Sequence, residues 1–176
     1  MNWPNRLTLL RMAVIPVCSY CILMNEPVYS MWALVLFVFA SITDFLDGHL
    51  ARKHKIITTL GKFLDPVADK LLVLTSLIAL SGTGHFPTWI VIVILCRELL
   101  VDGLRMVAVG QNQVIVAGKL GKIKTVLQMM MVIAYLVHVY YPVPQLLLEG
   151  LNYAVVIMTI YSGVDYFWQN RKVFQA

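Results

Sequence analysis

Apolar residues do not alternate with polar ones in this chain. They come in six long runs with short polar breaks between them. The runs cover residues 7–23, 28–46, 60–81, 86–109, 123–141 and 147–168. A helix needs roughly 20 mostly apolar residues to cross the hydrocarbon core of a bilayer, and each run meets or approaches that length. Three of the breaks carry turn chemistry: Asn25-Glu26-Pro27, Gly82 to Pro87, and Tyr141-Pro142-Val143-Pro144. The pattern predicts an all-α integral membrane protein with six transmembrane helices. The runs take up nearly all of the 176 residues, so a single domain over 1–176 is expected. The first run has no small-residue cleavage site and five more runs follow it, so a span is expected there and not a cleaved signal peptide.

Composition sharpens this picture. The chain is 60% hydrophobic and 13% charged, against about 25% charged in a soluble domain. So few charges cannot cover a water-facing surface, and lipid must be the solvent for most of it. Disorder is excluded, because disordered chains are poor in apolar residues. A nucleic-acid partner is not expected, despite a formal net charge of +5. The three cysteines are too few for a secreted disulfide framework. Cys18 and Cys21 lie inside an apolar run and read as small apolar residues.

The basic residues set the orientation. Arg6 and Arg11 open the chain, Arg171 and Lys172 close it, and the other ten of the 14 surround the second and fourth connections. The first, third and fifth connections contain no Lys or Arg. This segregation predicts that both termini and the second and fourth connections are cytoplasmic. Tyr29, Trp32, Trp89, Tyr140 and Tyr141 fall near the opposite interface, as an aromatic belt would.

The carboxylates carry the chemistry. Four of the nine acidic residues, Asp44, Asp47, Asp65 and Asp69, fall at the cytoplasmic ends of the second and third spans. Charges at such depth cost several kcal/mol and mark function (roughly 2.5 kcal/mol or more each). Asp44 and Asp47 are three apart and Asp65 and Asp69 four apart, so each pair shares a helix face. A short link makes the two helices antiparallel neighbours, which can bring the pairs together. Four carboxylates in a low-dielectric site repel strongly. Either some are protonated or cations sit between them. Oxygen-only ligands suit hard divalent ions, and two such ions would balance four carboxylates in the usual clamp for displacement at phosphorus. Gly48, Ala51 and Gly61 leave space on the polar faces, and Arg52 offers a two-pronged donor for phosphate. Pro66 would start or kink the third helix.

Asp44, Asp47, Gly48, Ala51, Arg52, Gly61, Asp65 and Asp69 together spell D-x2-D-G-x2-A-R-x8-G-x3-D-x3-D. All eight fixed positions match the pattern of the CDP-alcohol phosphotransferase family, which the chain resembles over essentially its whole length. The resemblance implies attack of an alcohol on a CDP-activated lipid, with release of CMP. It implies Asp44, Asp47, Asp65 and Asp69 as ligands of two divalent cations, Mg²⁺ or Mn²⁺, with Asp69 also the general base. It implies Gly48, Ala51, Arg52 and Gly61 around the cytidine nucleotide. The Asn5-x2-Thr8-x2-Arg11 stretch resembles the segment that lines the nucleotide site in relatives, so Asn5 and Thr8 join that group; the alternative is a polar lead-in to the first span. A homodimer is a further implication.

A second polar cluster bears on the acceptor. The fourth run turns charged at Arg97, Glu98, Asp102 and Arg105, and Lys119, Lys122 and Lys124 open the fifth helix. Lysines at a helix N-terminus make an anion site, which would suit an acceptor that carries its own phosphate. The alternatives are that these lysines only mark the cytoplasmic side and that Arg97 and Glu98 form a structural ion pair. The stretch, together with Phe63 to Lys70, resembles the bacterial phosphatidylglycerophosphate synthase branch of the family. That branch implies CDP-diacylglycerol as donor and sn-glycerol 3-phosphate as acceptor, with Arg97, Arg105, Lys119, Lys122 and Lys124 holding the acceptor phosphate. Another acceptor, such as an inositol phosphate, would keep the family and change the branch.

A small cation transporter is the reading from a different class, since intramembrane aspartates also mark ion paths. Against it, the acids gather at one membrane face, where a transporter places its site near the midplane. His49 and His54 read as polar edge residues, and Asp165 as paired with a cytoplasmic basic residue. With no organelle-targeting presequence in view, the expected location is a bacterial inner or plasma membrane, multi-pass, with the site facing the cytoplasm.

Overall fold

The structure, a computed structural model, describes the backbone of residues 3–54, 59–111, 115 and 118–174, and the side chains within these except 3–7, 44–54, 59–66, 69, 119, 172 and 174. The described residues form six α-helices and no strand. They are α1 (Trp3–Leu23), α2 (Pro27–His54), α3 (Thr59–Gly82), α4 (Thr88–Gly110), α5 (Lys119–Tyr140) and α6 (Gln145–Gln169). A short 3₁₀ turn, Arg171–Phe174, follows α6. Each apolar run lies in one helix, apart from Phe86 and Pro87 ahead of α4 and Tyr141 after α5, and the turn chemistry lies where the helices break. Asn25 takes the left-handed conformation at φ 53°, which asparagine tolerates better than most residues. Pro27 then opens α2, where its missing N–H costs nothing. Gly84, at φ 81°, does the same work before α4. α3 starts at Thr59, so Pro66 lies inside it and does not start it.

The chain forms two compact units, Met1–Phe86 with Val132–Val143, and Pro87–Met131 with Pro144–Ala176. In the first, α1 packs against α2 and α3, and α2 touches α3. Its interior holds Cys18, Ala33, Phe37, Leu72, Leu77 and Leu80, all buried. Small residues such as Cys18 and Ala33 let helices approach closely, which matters where lipid competes with every apolar contact. The Cys18 thiol donates to the carbonyl of Ala33 at 3.5 Å, and both Cys18 and Cys21 are free and buried. Polar stitches close the turns. The Asn25 side-chain oxygen is 2.7 Å from His85 Nε2, and the backbone N–H of Val143 donates to His138 Nδ1 at 3.2 Å.

In the second unit α4 packs along α6, and the end of α4 meets the 3₁₀ turn. The buried residues of α4 are Ile90, Val91, Ile94, Glu98, Val101, Leu104 and Ala108. Those of α6 are Leu148, Asn152, Val155, Thr159, Ser162, Gly163 and Tyr166. Both sets recur every three or four residues, so each is a single stripe along its helix. The α6 stripe mixes apolar with small polar residues, the kind that hydrogen-bond across helices in a membrane.

The remaining surface is strongly apolar. Leu99, Met106, Leu146 and Trp168 are 64%, 70%, 83% and 69% exposed, and many other large hydrophobic side chains face outward with them. A monomer in water rarely carries so much exposed apolar area. Among the described residues, two helices are long and apolar enough to cross a membrane, Leu120–Tyr140 and Gln145–Gln169. Charge sets α4 apart from these, because Arg97, Glu98, Asp102 and Arg105 all lie within it. The five aromatic residues expected at the outer interface, Tyr29, Trp32, Trp89, Tyr140 and Tyr141, are all exposed.

Candidate active site

The aspartate motif lies on two helices that touch each other. Asp44 and Asp47 fall within α2, whose helix continues unbroken past them through Gly48, Ala51 and Arg52 to His54. Gly61, Asp65 and Asp69 fall within α3. Unbroken helix puts the members of each aspartate pair one turn apart. The side chains of Asn5, Asp44, Asp47, Gly48, His49, Ala51, Arg52, His54, Gly61, Asp65 and Asp69 lie outside the described residues. Among the described residues, no group of three or more His, Cys, Asp or Glu is placed to hold a metal ion. The chemistry of the motif's donor set nonetheless suits hard divalent cations: four carboxylates, offered from two adjacent helices. On α1, Thr8 and Arg11 are buried, at 1% and 2% exposure.

The second cluster is described in detail. Arg97 and Glu98 are neighbours on α4, and Arg97 Nη1 donates to Glu98 Oε1 at 3.1 Å. Lys124, one turn into α5, donates to the same carboxylate oxygen. Arg97 Nη2 reaches α6, where it donates to Ser162 Oγ at 3.3 Å. The side chains of Arg97, Lys124 and Glu98 are 13%, 4% and 7% exposed, so this is a buried network. Gly163 makes room for it, since a Cβ there would come within 3.2 Å of Arg97 Cγ. Of the five cations singled out in the sequence, Arg97 and Lys124 are therefore brought together by Glu98. The ion-pair alternative for Arg97 and Glu98 is what the structure contains.

Arg105 stands apart from that network and is half-buried. Its Nε donates to the Tyr166 hydroxyl at 2.9 Å, and its guanidinium carbon lies 5.5 Å from the centre of the same ring. Lys122 is exposed, and the side chain of Lys119 lies outside the described residues. Among the described residues, Asp165 accepts from Gln169 at 2.9 Å and not from a basic residue, because the glutamine one turn on shares its exposed face.

Ser162, Gly163 and Tyr166 were not among the residues expected from the sequence. The signal was there: Asn152, Thr159 and Ser162 recur at helical spacing within an otherwise apolar run. Polar groups at one helical stripe in a membrane segment mark a packed face.

The sequence itself has relatives. A family model described as CDP-alcohol phosphatidyltransferase matches residues 1–164. A protein of Bacillus subtilis (strain 168) named CDP-diacylglycerol–glycerol-3-phosphate 3-phosphatidyltransferase is 41% identical, over 99% of this chain and 98% of that one. A protein of the same name from Rickettsia bellii is 38% identical, over 98% of this chain and 97% of its own length. One from Pectobacterium atrosepticum, again of that name, is 33% identical, over 94% and 92%.

Proposed function

We infer the reaction from one premise: the chain belongs to the CDP-alcohol phosphatidyltransferase family. It transfers the phosphatidyl group of CDP-diacylglycerol to sn-glycerol 3-phosphate, giving phosphatidylglycerol phosphate and CMP. The observation that carries this reading is the unbroken eight-position motif on α2 and α3, in a chain that aligns over nearly its whole length with relatives bearing that enzyme name.

The mechanism we propose is a single in-line displacement. Asp69 takes the proton from the terminal hydroxyl of the acceptor. That oxygen forms a bond to the phosphorus that carries diacylglycerol, and the bond from this phosphorus to the CMP oxygen breaks. A hydroxyl is a weak nucleophile, so a base within hydrogen-bond reach supplies about 10²–10⁴-fold. Asp44, Asp47, Asp65 and Asp69 would hold two divalent cations, Mg²⁺ or Mn²⁺. These would supply positive charge against the pyrophosphate and the departing CMP. Arg52 would take a nucleotide phosphate in a two-pronged contact, with Gly48, Ala51 and Gly61 leaving it room. Asn5 and Thr8 would line the same pocket. The burial of Thr8 and Arg11 supports that role, because a polar lead-in to a span would be exposed.

We place all six helices across a bacterial inner or plasma membrane, as one catalytic domain with both termini and the site on the cytoplasmic side. The lengths support this. The shortest helix, α1, has 21 residues, which at 1.5 Å per residue spans about 32 Å against a hydrocarbon core of about 30 Å. α2 has 28 residues, about 42 Å. The end that carries the motif would therefore clear the core and meet both membrane lipid and cytosolic solutes. A homodimer completes the proposal.

The test is CMP release by the purified protein in detergent, with CDP-diacylglycerol and Mg²⁺ or Mn²⁺. The acceptor panel is glycerol 3-phosphate, inositol 1-phosphate, inositol, serine and phosphatidylglycerol. Metal-dependent release with glycerol 3-phosphate alone is expected. Release with a different acceptor would keep the family and overturn the acceptor. Silence across the panel would favour the transporter reading.

The acceptor phosphate is assigned to the cations of the second cluster, Arg97, Arg105, Lys119, Lys122 and Lys124. Lys122 is exposed and Arg105 lies outside the Glu98 network, whereas Arg97 and Lys124 already meet Glu98. Arg105→Ala and Lys122→Ala are each expected to raise KM for glycerol 3-phosphate about tenfold, the scale of one charge-assisted hydrogen bond. KM for CDP-diacylglycerol should hold. An unchanged acceptor KM in both variants would place the pocket elsewhere.

A further inference from the structure

We propose that Tyr166, on α6, is a positioning residue that aims Arg105 at the acceptor phosphate. The inference rests on the reading above that Arg105 meets this phosphate.

A guanidinium has three donor edges, and a two-pronged contact to phosphate uses a pair of N–H groups in its plane. The side chain that carries it is long and flexible, so an unheld arginine loses much rotational freedom on binding. Tyr166 removes that freedom in advance. Its hydroxyl accepts from Arg105 Nε at 2.9 Å, and its ring lies under the guanidinium, 5.5 Å from centre to carbon. The hydrogen bond takes the one edge that a terminal fork does not need. Among the described residues, no hydrogen bond engages Arg105 Nη1 or Nη2. The two terminal nitrogens thus stay available while the stem is held.

The holder is itself rigid. Tyr166 is 7% exposed and packs in a core of Val101, Leu104, Ala108 and Val173, with Ile115 and Phe167 against it. A tyrosine ring has two side-chain torsions, and that packing leaves neither free. The contact also joins α6 to α4, because Arg105 lies seven residues beyond Glu98 on the charged half of α4. One turn back along α6, Ser162 Oγ accepts from Arg97, there at the terminal Nη2. α6 therefore serves as a rack for the arginines of α4. A tyrosine whose only task was apolar packing would not need its hydroxyl at this place, since phenylalanine would fill the same volume.

The test compares Tyr166→Phe with the parent protein and with Arg105→Ala, by steady-state CMP release. Tyr166→Phe keeps the ring and its packing and removes only the hydroxyl. KM for glycerol 3-phosphate is expected to rise about tenfold, the usual scale for a hydrogen bond to a charged group. kcat is expected to stay within about twofold, and KM for CDP-diacylglycerol to hold, since turnover and donor contacts lie with the motif. In the Arg105→Ala background, Tyr166→Phe should add nothing, because the two residues act as one unit. Tyr166→Leu, which removes the ring as well, should raise the acceptor KM further. An acceptor KM unchanged in Tyr166→Phe while Arg105→Ala raises it would overturn the positioning role and leave the proposed function intact. Equal losses in kcat and in both KM values, or additive effects in the double variant, would mark Tyr166 as a packing residue only. If Arg105→Ala itself leaves the acceptor KM unchanged, the acceptor assignment fails first and this inference falls with it.

Discussion

Replacing Asp69 with Asn is expected to stop CMP release and to leave CDP-diacylglycerol bound. Asparagine has nearly the same shape and can still offer an oxygen, but it cannot take a proton at neutral pH. The loss should be at least about 10²–10⁴-fold in kcat, the range for removing a general base. The measurement is single-turnover CMP release with saturating glycerol 3-phosphate, beside direct binding of labelled CDP-diacylglycerol. Turnover within tenfold of the parent would remove Asp69 from the base role. Lost donor binding with little other change would make it chiefly a ligand for the cations that the donor needs. The parallel change Asp44→Asn separates the two roles, because no proton transfer is assigned there and donor binding should weaken first. This follows from the motif and the mechanism alone.

The second large effect is structural and comes from α4. Glu98→Ala is expected to lower stability by about 3–5 kcal/mol, because it removes the carboxylate between two buried cations. Arg97 and Lys124 both donate to Glu98 Oε1, and the side chains are at most 13% exposed. The variant would leave both of these buried side chains without the carboxylate that joins them. Thermal inactivation in detergent, read as a half-life at fixed temperature, is the measurement, since membrane proteins rarely unfold reversibly. Glu149→Ala is the control: Glu149 is exposed and, among the described residues, accepts only from Gln145 one turn away, at 2.8 Å. Its loss should stay within about 0.5 kcal/mol. Glu98→Leu combined with Lys124→Met should be more stable than Glu98→Leu alone, because replacing both members of a buried pair costs less than stranding one. Equal inactivation of the Glu98 and Glu149 variants would mean that the network contributes no net stability.

The two results draw on different kinds of information. The site motif was legible in the primary structure, because metal and phosphate chemistry demands particular residue types at helical spacing. Asp44 and Asp47 one turn apart, Asp65 and Asp69 one turn apart, and small residues between them leave few readings. The helix boundaries were legible too, since an apolar run in lipid has to satisfy its own backbone and so has to be a helix. Where the helices ran on past the apolar runs, as α2 does to His54, hydropathy was silent. Backbone hydrogen bonding continues into polar sequence, and only a break in that bonding ends the helix.

Partnership between distant residues was not legible in that way. The sequence put Arg97, Glu98, Arg105 and Lys124 into one cluster, with an Arg97–Glu98 ion pair as an alternative that it could not decide. Folding divided it: Glu98 gathers Arg97 and Lys124 into a buried network, and Tyr166 takes Arg105 out of it. Ser162 and Tyr166 lie 65 and 61 residues from the arginines they hold. Spacing rules reach only one or two turns along a helix, whereas the packing of α4 on α6 sets which side chains meet across it. A linear pattern therefore shows that a long apolar helix exists and which charged residues it carries. Which cation is held, and which is left to bind, depends on the neighbour that the fold supplies.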